Sequence, residues 1–107
     1  MQRVGSLAGD HVGTGEAGTL DDGTVVRIQV RREGERIAEA RFRVFGCSAA
    51  IASASLVAEW LEGAPIDQAM ALTPQRVVQH LDLAPARTHV AGLAVDAALK
   101  AVEEVRK

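Results

Sequence analysis

The stretch TVVRIQVRREGERIAEARFRVF, residues 24–45, decides the fold. Apolar and polar residues alternate over 24–31 and again over 37–45, the period of a strand that buries one face. The Glu-Gly-Glu sequence at 33–35 supplies a turn between them. The stretch therefore predicts an antiparallel hairpin with one buried and one wet face. The arginines of the wet face predict a solvated sheet surface with Glu39 as an ion-pair partner, in preference to a binding patch.

The segments around the hairpin predict the remaining elements. Short strand pieces are expected near 13–18, within a glycine-rich region. Apolar residues recur at helical spacing over 49–61 and from residue 88 onward, so we expect a helix in each. Two shorter helices are expected over 65–72 and 74–81, the second after a Thr-Pro capping sequence. Strands before helices indicate an α+β fold, a small antiparallel sheet with helices packed on one face.

Length and composition restrict the class of protein. The chain has 107 residues, which fits one domain over 1–107 that can bury a core. The net charge of −2 offers no strongly basic face, so nucleic acid is a poor partner. No stretch approaches the roughly 20 apolar residues of a membrane span, so no membrane partner is expected. The single cysteine and the absence of an N-terminal apolar run favour a cytoplasmic location.

Cys47 lies where the second predicted strand changes into a helix. The amides of a helix N-terminus stabilise a thiolate, which is both a nucleophile and a metal ligand. A cysteine is equally often a small buried hydrophobe, so the residue type leaves both interpretations open. An enzyme with Cys47 as nucleophile and His89 as base is disfavoured, because no third group that orients the base can be named.

Two further residues could bind a metal. His89 is in the first turn of the last predicted helix, where the helix dipole disfavours the imidazolium. Taken alone, an ordinary histidine at a helix end is the favoured interpretation. Asp22 belongs to an Asp-Gly turn, and its carboxylate could bind a metal only if other ligands converge on it. His11 and His80 have no partner pattern and are expected on the surface.

Six segments follow one another with a spacing that carries more information than any single motif. They are VGTG at 12–15, ARF at 40–42, FGCSAAIAS at 45–53, EWL at 59–61, LAPAR at 83–87 and HV at 89–90. In this order they resemble the IscU/NifU-type iron–sulfur cluster assembly scaffold family. The resemblance implies the same α+β fold and the function of an assembly scaffold or carrier that is not an enzyme. It also implies partners, a cysteine desulfurase-like sulfur donor and acceptor apoproteins.

The departures from that family pattern concern its ligands. The family's first cluster cysteine falls on Asp22, the aspartate two residues later falls on Thr24, and the last cysteine falls on Val90. Only Cys47 and the family histidine, His89, are kept. The resemblance therefore implies a degenerate metal site of Asp22, Cys47 and His89. Because iron–sulfur clusters are usually held by four ligands, mostly thiolates, such a site would hold a cluster only weakly or transiently.

Several outcomes are compatible with that ligand set. One thiolate, one imidazole and one carboxylate suit zinc with water as the fourth ligand, and iron is the other candidate metal. Alternatively, two chains could pool their two cysteines around a bridging cluster in a homo-oligomer. The alternative function is an interaction or regulatory protein of iron–sulfur or nitrogenase-type metallocluster assembly, which keeps the scaffold fold without binding a cluster.

Overall fold

The computed structural model describes residues 11–19, 21, 23–85 and 88–106. Within these residues a three-stranded antiparallel sheet in the order β1-β2-β3 precedes four helices. The elements are β1 Val12–Thr19, β2 Thr24–Glu33, β3 Arg36–Phe45, α1 Ser48–Leu61, α2 Ile66–Ala69, α3 Pro74–Leu81 and α4 Thr88–Arg106. This arrangement confirms the predicted α+β class.

The predicted hairpin is formed by β2 and β3. Glu33 pairs with Arg36 across a two-residue turn, in which Gly34 has a φ of 63°. Such turns need the left-handed conformation that glycine adopts without strain. Ala38 and Val44 of β3 are only partly buried. The other alternating apolar residues of the two strands have relative exposures of 2% or less: Val26, Ile28, Val30, Ala40 and Phe42. The buried face of the hairpin therefore follows from the sequence alternation.

The other face of the hairpin carries an ion-pair network. Glu39 accepts hydrogen bonds from Arg31, with the closest nitrogen at 2.7 Å, and from Arg41 at 3.1 Å. Arg41 also pairs with Glu62 of the α1 end at 2.9 Å. The hydrogen bond to Glu39 raises the pKa of Arg31 above its ordinary value. The predicted role of Glu39 is confirmed for these two arginines.

The first strand is longer than the sequence predicts. β1 pairs with β2 along its whole length, from Val12 opposite Arg31 to Thr19 opposite Thr24. Its glycines let α4 lie against the strand backbone. A Cβ on Gly15 would be 1.8 Å from the carbonyl oxygen of Ala97. The glycines that weaken the strand signal in the sequence are thus the residues that let a helix cover β1.

The α1 end closes the edge of β3. Gly63, with a φ of 81°, ends the helix and donates its N–H to the carbonyl of Ile37 at 2.7 Å. Ile37 in turn donates to the carbonyl of Ala64 at 3.0 Å, and the Glu62 carboxylate accepts the N–H of Ala40 at 3.1 Å. These bonds satisfy backbone groups that an edge strand would otherwise expose.

The shorter helices follow the sequence with one correction. The helix expected over 65–72 is a single turn, Ile66–Ala69, whereas the one expected over 74–81 is observed with Thr73 at its N-cap position. The long last helix buries nine residues against the sheet and its neighbours: Val90, Ala91, Ala94, Val95, Ala97, Ala98, Ala101, Val102 and Val105. None of the described helices has the length and apolar character needed to cross a membrane.

Candidate functional site

Three connections of the chain meet at one end of the sheet. Val25 pairs with Gly18 of β1 on one side and with Phe45 of β3 on the other. The β1–β2 turn and the β3–α1 junction therefore share that end. α4 runs antiparallel to β1, since Val105 lies against Gly13 and the start of the helix reaches Gly18. The N-terminus of α4 consequently lies at the same end.

Cys47 occupies the N-cap of α1. Its backbone is extended, with φ −81° and ψ 168°, and its carbonyl accepts the N–H groups of Ala50 and Ile51 at 3.1 and 3.2 Å. The residue is half-buried. Half-burial at the positive end of a helix fits an accessible thiolate better than a fully enclosed hydrophobe.

Thr24 connects the surroundings of Cys47 with His89. Gly46 has a φ of 150°, and a Cβ there would lie 3.1 Å from the hydroxyl oxygen of Thr24, so the junction packs on the turn. Thr24 also lines a cavity of about 330 Å³ together with Gly18, His89 and Leu93. Gly46, the residue next to Cys47, thus packs on Thr24, and His89 lines the same cavity as Thr24, which is 7% exposed.

The predicted ligands are only partly accounted for. Cys47 and the exposed His89 lie at the same end of the sheet, whereas Asp22 lies outside the described residues. Among the residues that are described, no three His, Cys, Asp or Glu side chains are grouped closely enough to hold a metal ion. Val90 is fully buried and has no donor atom. The Asp22, Cys47 and His89 site therefore stays a prediction.

Comparison with known proteins decides the family. The family model of the NifU-like N-terminal domain matches residues 2–107. The chain belongs to this family. It is 38% identical over 98 residues to the iron–sulfur cluster assembly scaffold protein IscU of Escherichia coli K12, covering 91% of this chain and 77% of that protein. It is 37% identical over 108 residues to iron sulfur cluster assembly protein 1 of Trachipleistophora hominis, covering 99% and 78%.

Solved structures share the fold of this NifU-like domain. The N-terminal NifU-like protein of Brucella abortus superposes with a TM-score of 0.76 at 20% identity, covering 99% of this chain and 86% of that chain. A putative iron–sulfur cluster assembly scaffold for the SUF system from Fervidobacterium islandicum AW-1 gives 0.77 at 18% identity, covering 94% and 87%. At these identities the likeness establishes the fold alone, and it agrees with the fold predicted from the hairpin.

The donors at this end of the NifU-like domain do not fit a cluster held by four thiolates of one chain. Its described residues include one thiol, at Cys47, and one imidazole, at His89. Thr24 supplies a neutral hydroxyl and Val90 supplies nothing. Soft thiolates select iron–sulfur units, whereas a mixed set of sulfur and nitrogen donors suits zinc. These two donors are fewer than the four ligands that a zinc ion or an iron–sulfur cluster usually takes.

The other histidines lie away from this site, as expected. His11 and His80 are both exposed. The His80 ring packs edge-on against the ring of Trp60, with centroids 5.7 Å apart, and the Arg76 guanidinium lies 4.9 Å from the centroid of the same Trp60 ring.

An exposed aromatic residue that the sequence interpretation did not single out lies two residues before Cys47. Phe45 is 63% exposed, and only its position on the polar side of the strand alternation signals this.

Proposed function

We propose that this chain is a divergent iron–sulfur cluster assembly scaffold or carrier that accepts sulfur at Cys47. The observation that carries the proposal is the 38% identity to a curated scaffold protein over 91% of the chain. The half-buried position of Cys47 at the N-cap of α1 supports it chemically. The alternative, a regulatory protein without any cluster or sulfur chemistry, is not favoured, because the curated relatives are themselves named as scaffold and assembly proteins.

The sulfur-accepting step needs only one thiolate. The Sγ of Cys47 attacks the outer sulfur of a persulfide on a donor protein of the cysteine desulfurase kind. A new S–S bond forms at Cys47 while the donor's S–S bond breaks, and the electron pair leaves on the donor thiolate. No external oxidant or reductant is required. The chain contributes no catalysis of its own, and a thiol kept reduced for this step fits the cytoplasm.

Metal binding is the second part of the proposal. Cys47 and His89, joined by Asp22, are the candidate ligands for iron or zinc, with an iron–sulfur cluster as a weakly or transiently held cargo. Two chains could alternatively contribute one Cys47 each to a shared cluster. Delivery to acceptor apoproteins would complete the role. The proposal is supported by the placement of Cys47 and His89 at one end of the sheet. There Gly46, next to Cys47, packs on Thr24, and His89 lines the same cavity as Thr24.

One experiment tests sulfur acceptance and metal binding separately. The protein is incubated with cysteine and the cysteine desulfurase of its source organism, and the mass of the Cys47 peptide is measured after alkylation. We expect one added sulfur on wild type and none on Cys47→Ser. Anaerobically purified protein is analysed in parallel for iron, zinc and acid-labile sulfide, and His89→Ala should lower the metal content without lowering the added sulfur. Absence of both sulfur and metal from the wild type would overturn the proposal.

A further inference from the structure

The face of the sheet opposite the helices carries an apolar and cationic surface at its Cys47 end. Phe45 is the exposed large hydrophobic residue of the described chain, at 63%. Its cross-strand neighbour is Val25, which is partly exposed. The next outward-facing pair along the same two strands is Arg27 opposite Arg43, and both arginines are exposed. Phe45, Arg27 and Arg43 are here called the Phe45 surface.

The facing positions of Arg27 and Arg43 on the Phe45 surface lower the stability of the folded protein. Like charges directly opposite each other on neighbouring strands are destabilising. Within the described residues neither Arg27 nor Arg43 has a carboxylate within ion-pair distance, whereas Arg31 and Arg41 on the same face share Glu39. All four arginines therefore lie on the predicted solvated face, and Glu39 pairs with only Arg31 and Arg41 among them. Glu16 of β1 lies opposite Arg27, but no ion pair joins them, so both guanidinium groups are available to carboxylates of another molecule.

An exposed aromatic residue beside arginines is the composition of an interaction centre. Aromatic and arginine side chains dominate the energetic centres of protein interfaces. The Phe45 surface begins two residues before Cys47. Any protein that brings a persulfide to Cys47 must cover the chain immediately around it.

We propose that the Phe45 surface docks the sulfur-donating protein, which presents carboxylates around a pocket for Phe45. The inference rests on the function proposed above. A second copy of this chain fits poorly, because a twofold contact would bring two Arg27–Arg43 pairs face to face. A nucleic acid fits poorly too, because Glu16 lies beside Arg27 in the same cross-strand row. Carboxylates of an acidic partner relieve the repulsion between the arginines and steer the encounter.

The test measures binding of the full chain to the cysteine desulfurase of the source organism by calorimetry, at low and high salt. We expect Arg43→Glu and Phe45→Ser each to weaken binding roughly tenfold or more. The matched charge control is Arg106→Glu, an exposed arginine at the far end of α4, which should bind as wild type does. Wild-type binding should weaken as salt rises, because the contact is electrostatic.

Folding and sulfur transfer are followed in the same variants. Arg43→Glu places a carboxylate opposite Arg27, so its unfolding midpoint should equal or exceed that of the wild type, which separates lost docking from lost folding. A wild type that accepts sulfur while both variants bind as tightly as it does would overturn the docking surface and leave the proposed function standing. A wild type that neither binds nor accepts sulfur would overturn both. Loss of self-association in the variants, with desulfurase binding intact, would assign the surface to a second copy instead.

Discussion

Gly15 sets how closely α4 approaches the sheet, and Gly15→Ala tests the packing that holds the start of α4 beside Thr24. The added Cβ would lie 1.8 Å from the carbonyl oxygen of Ala97 and 2.7 Å from the amide nitrogen of Ala101. Ordinary contact begins at 3.4 Å, and both obstructing atoms belong to a helix backbone, so no side chain can turn away. α4 must therefore move off β1. Overpacking costs about 1–3 kcal/mol where neighbours yield, so we expect a loss of at least about 3 kcal/mol here.

Urea unfolding followed by circular dichroism measures that loss directly. A loss of this size is a large fraction of the roughly 5–15 kcal/mol that stabilises a typical domain. The matched control is Gly92→Ala in the same helix, where the added Cβ would have nothing within 4 Å. An alanine in a helix interior should raise stability by about 0.5–1 kcal/mol over glycine. If Gly15→Ala stayed within about 1 kcal/mol of wild type, the close contact of α4 with β1 would be refuted.

Three further predictions concern the core, the sheet edge and the metal. Phe42→Ala removes a side chain that is 2% exposed and should cost about 3–5 kcal/mol in urea unfolding. Glu62→Gln weakens the carboxylate contacts with a backbone N–H and an arginine of β3 and should cost about 1–3 kcal/mol, whereas Glu59→Gln on the exposed side of α1 should cost almost nothing. After reconstitution with iron and sulfide, the monomer should keep no cluster through desalting, while zinc should bind and Cys47→Ser should weaken it strongly. Elemental analysis with visible absorbance decides this last case, and a stoichiometric, persistent cluster on a monomer would contradict it.

The hairpin and the main helices could be predicted because their signals are local. Alternation over 24–31 and 37–45 reports one buried face wherever the strands pair, and Gly34 marks the turn. β1 could be predicted only as fragments, since Gly13 and Gly15 weaken strand propensity. What makes β1 a full strand is long-range, namely pairing with β2 and the close approach of α4. A sequence pattern carries no information on how near a helix comes.

At the candidate site, too, local properties could be predicted from the sequence and long-range ones could not. The position of Cys47 at a strand-to-helix junction and of His89 in the first turn of a helix are local properties, and both are observed. Their arrival at one end of the sheet depends on the direction in which α4 crosses β1, which only the family resemblance implied. Phe45 and Arg43 face outward by alternation. Side-chain geometry decides that Glu39 pairs with Arg31 and Arg41 and that Arg43 has no ion pair with a carboxylate of the described residues.

The single cysteine of this chain has different consequences for two steps, cluster binding and sulfur acceptance. Holding a cluster takes about four ligands, and this chain has a buried valine at 90 and a threonine at 24 where the resemblance to the IscU/NifU type implies a cysteine and an aspartate. Accepting sulfur takes Cys47 alone. Sulfur on Cys47 can then leave by attack of another protein's thiolate on the outer sulfur, which restores the Cys47 thiolate and transfers the S–S bond without any redox partner. Under the function proposed above, Cys47 would be sufficient for a sulfur carrier, whereas stable cluster binding would need donors from a second chain.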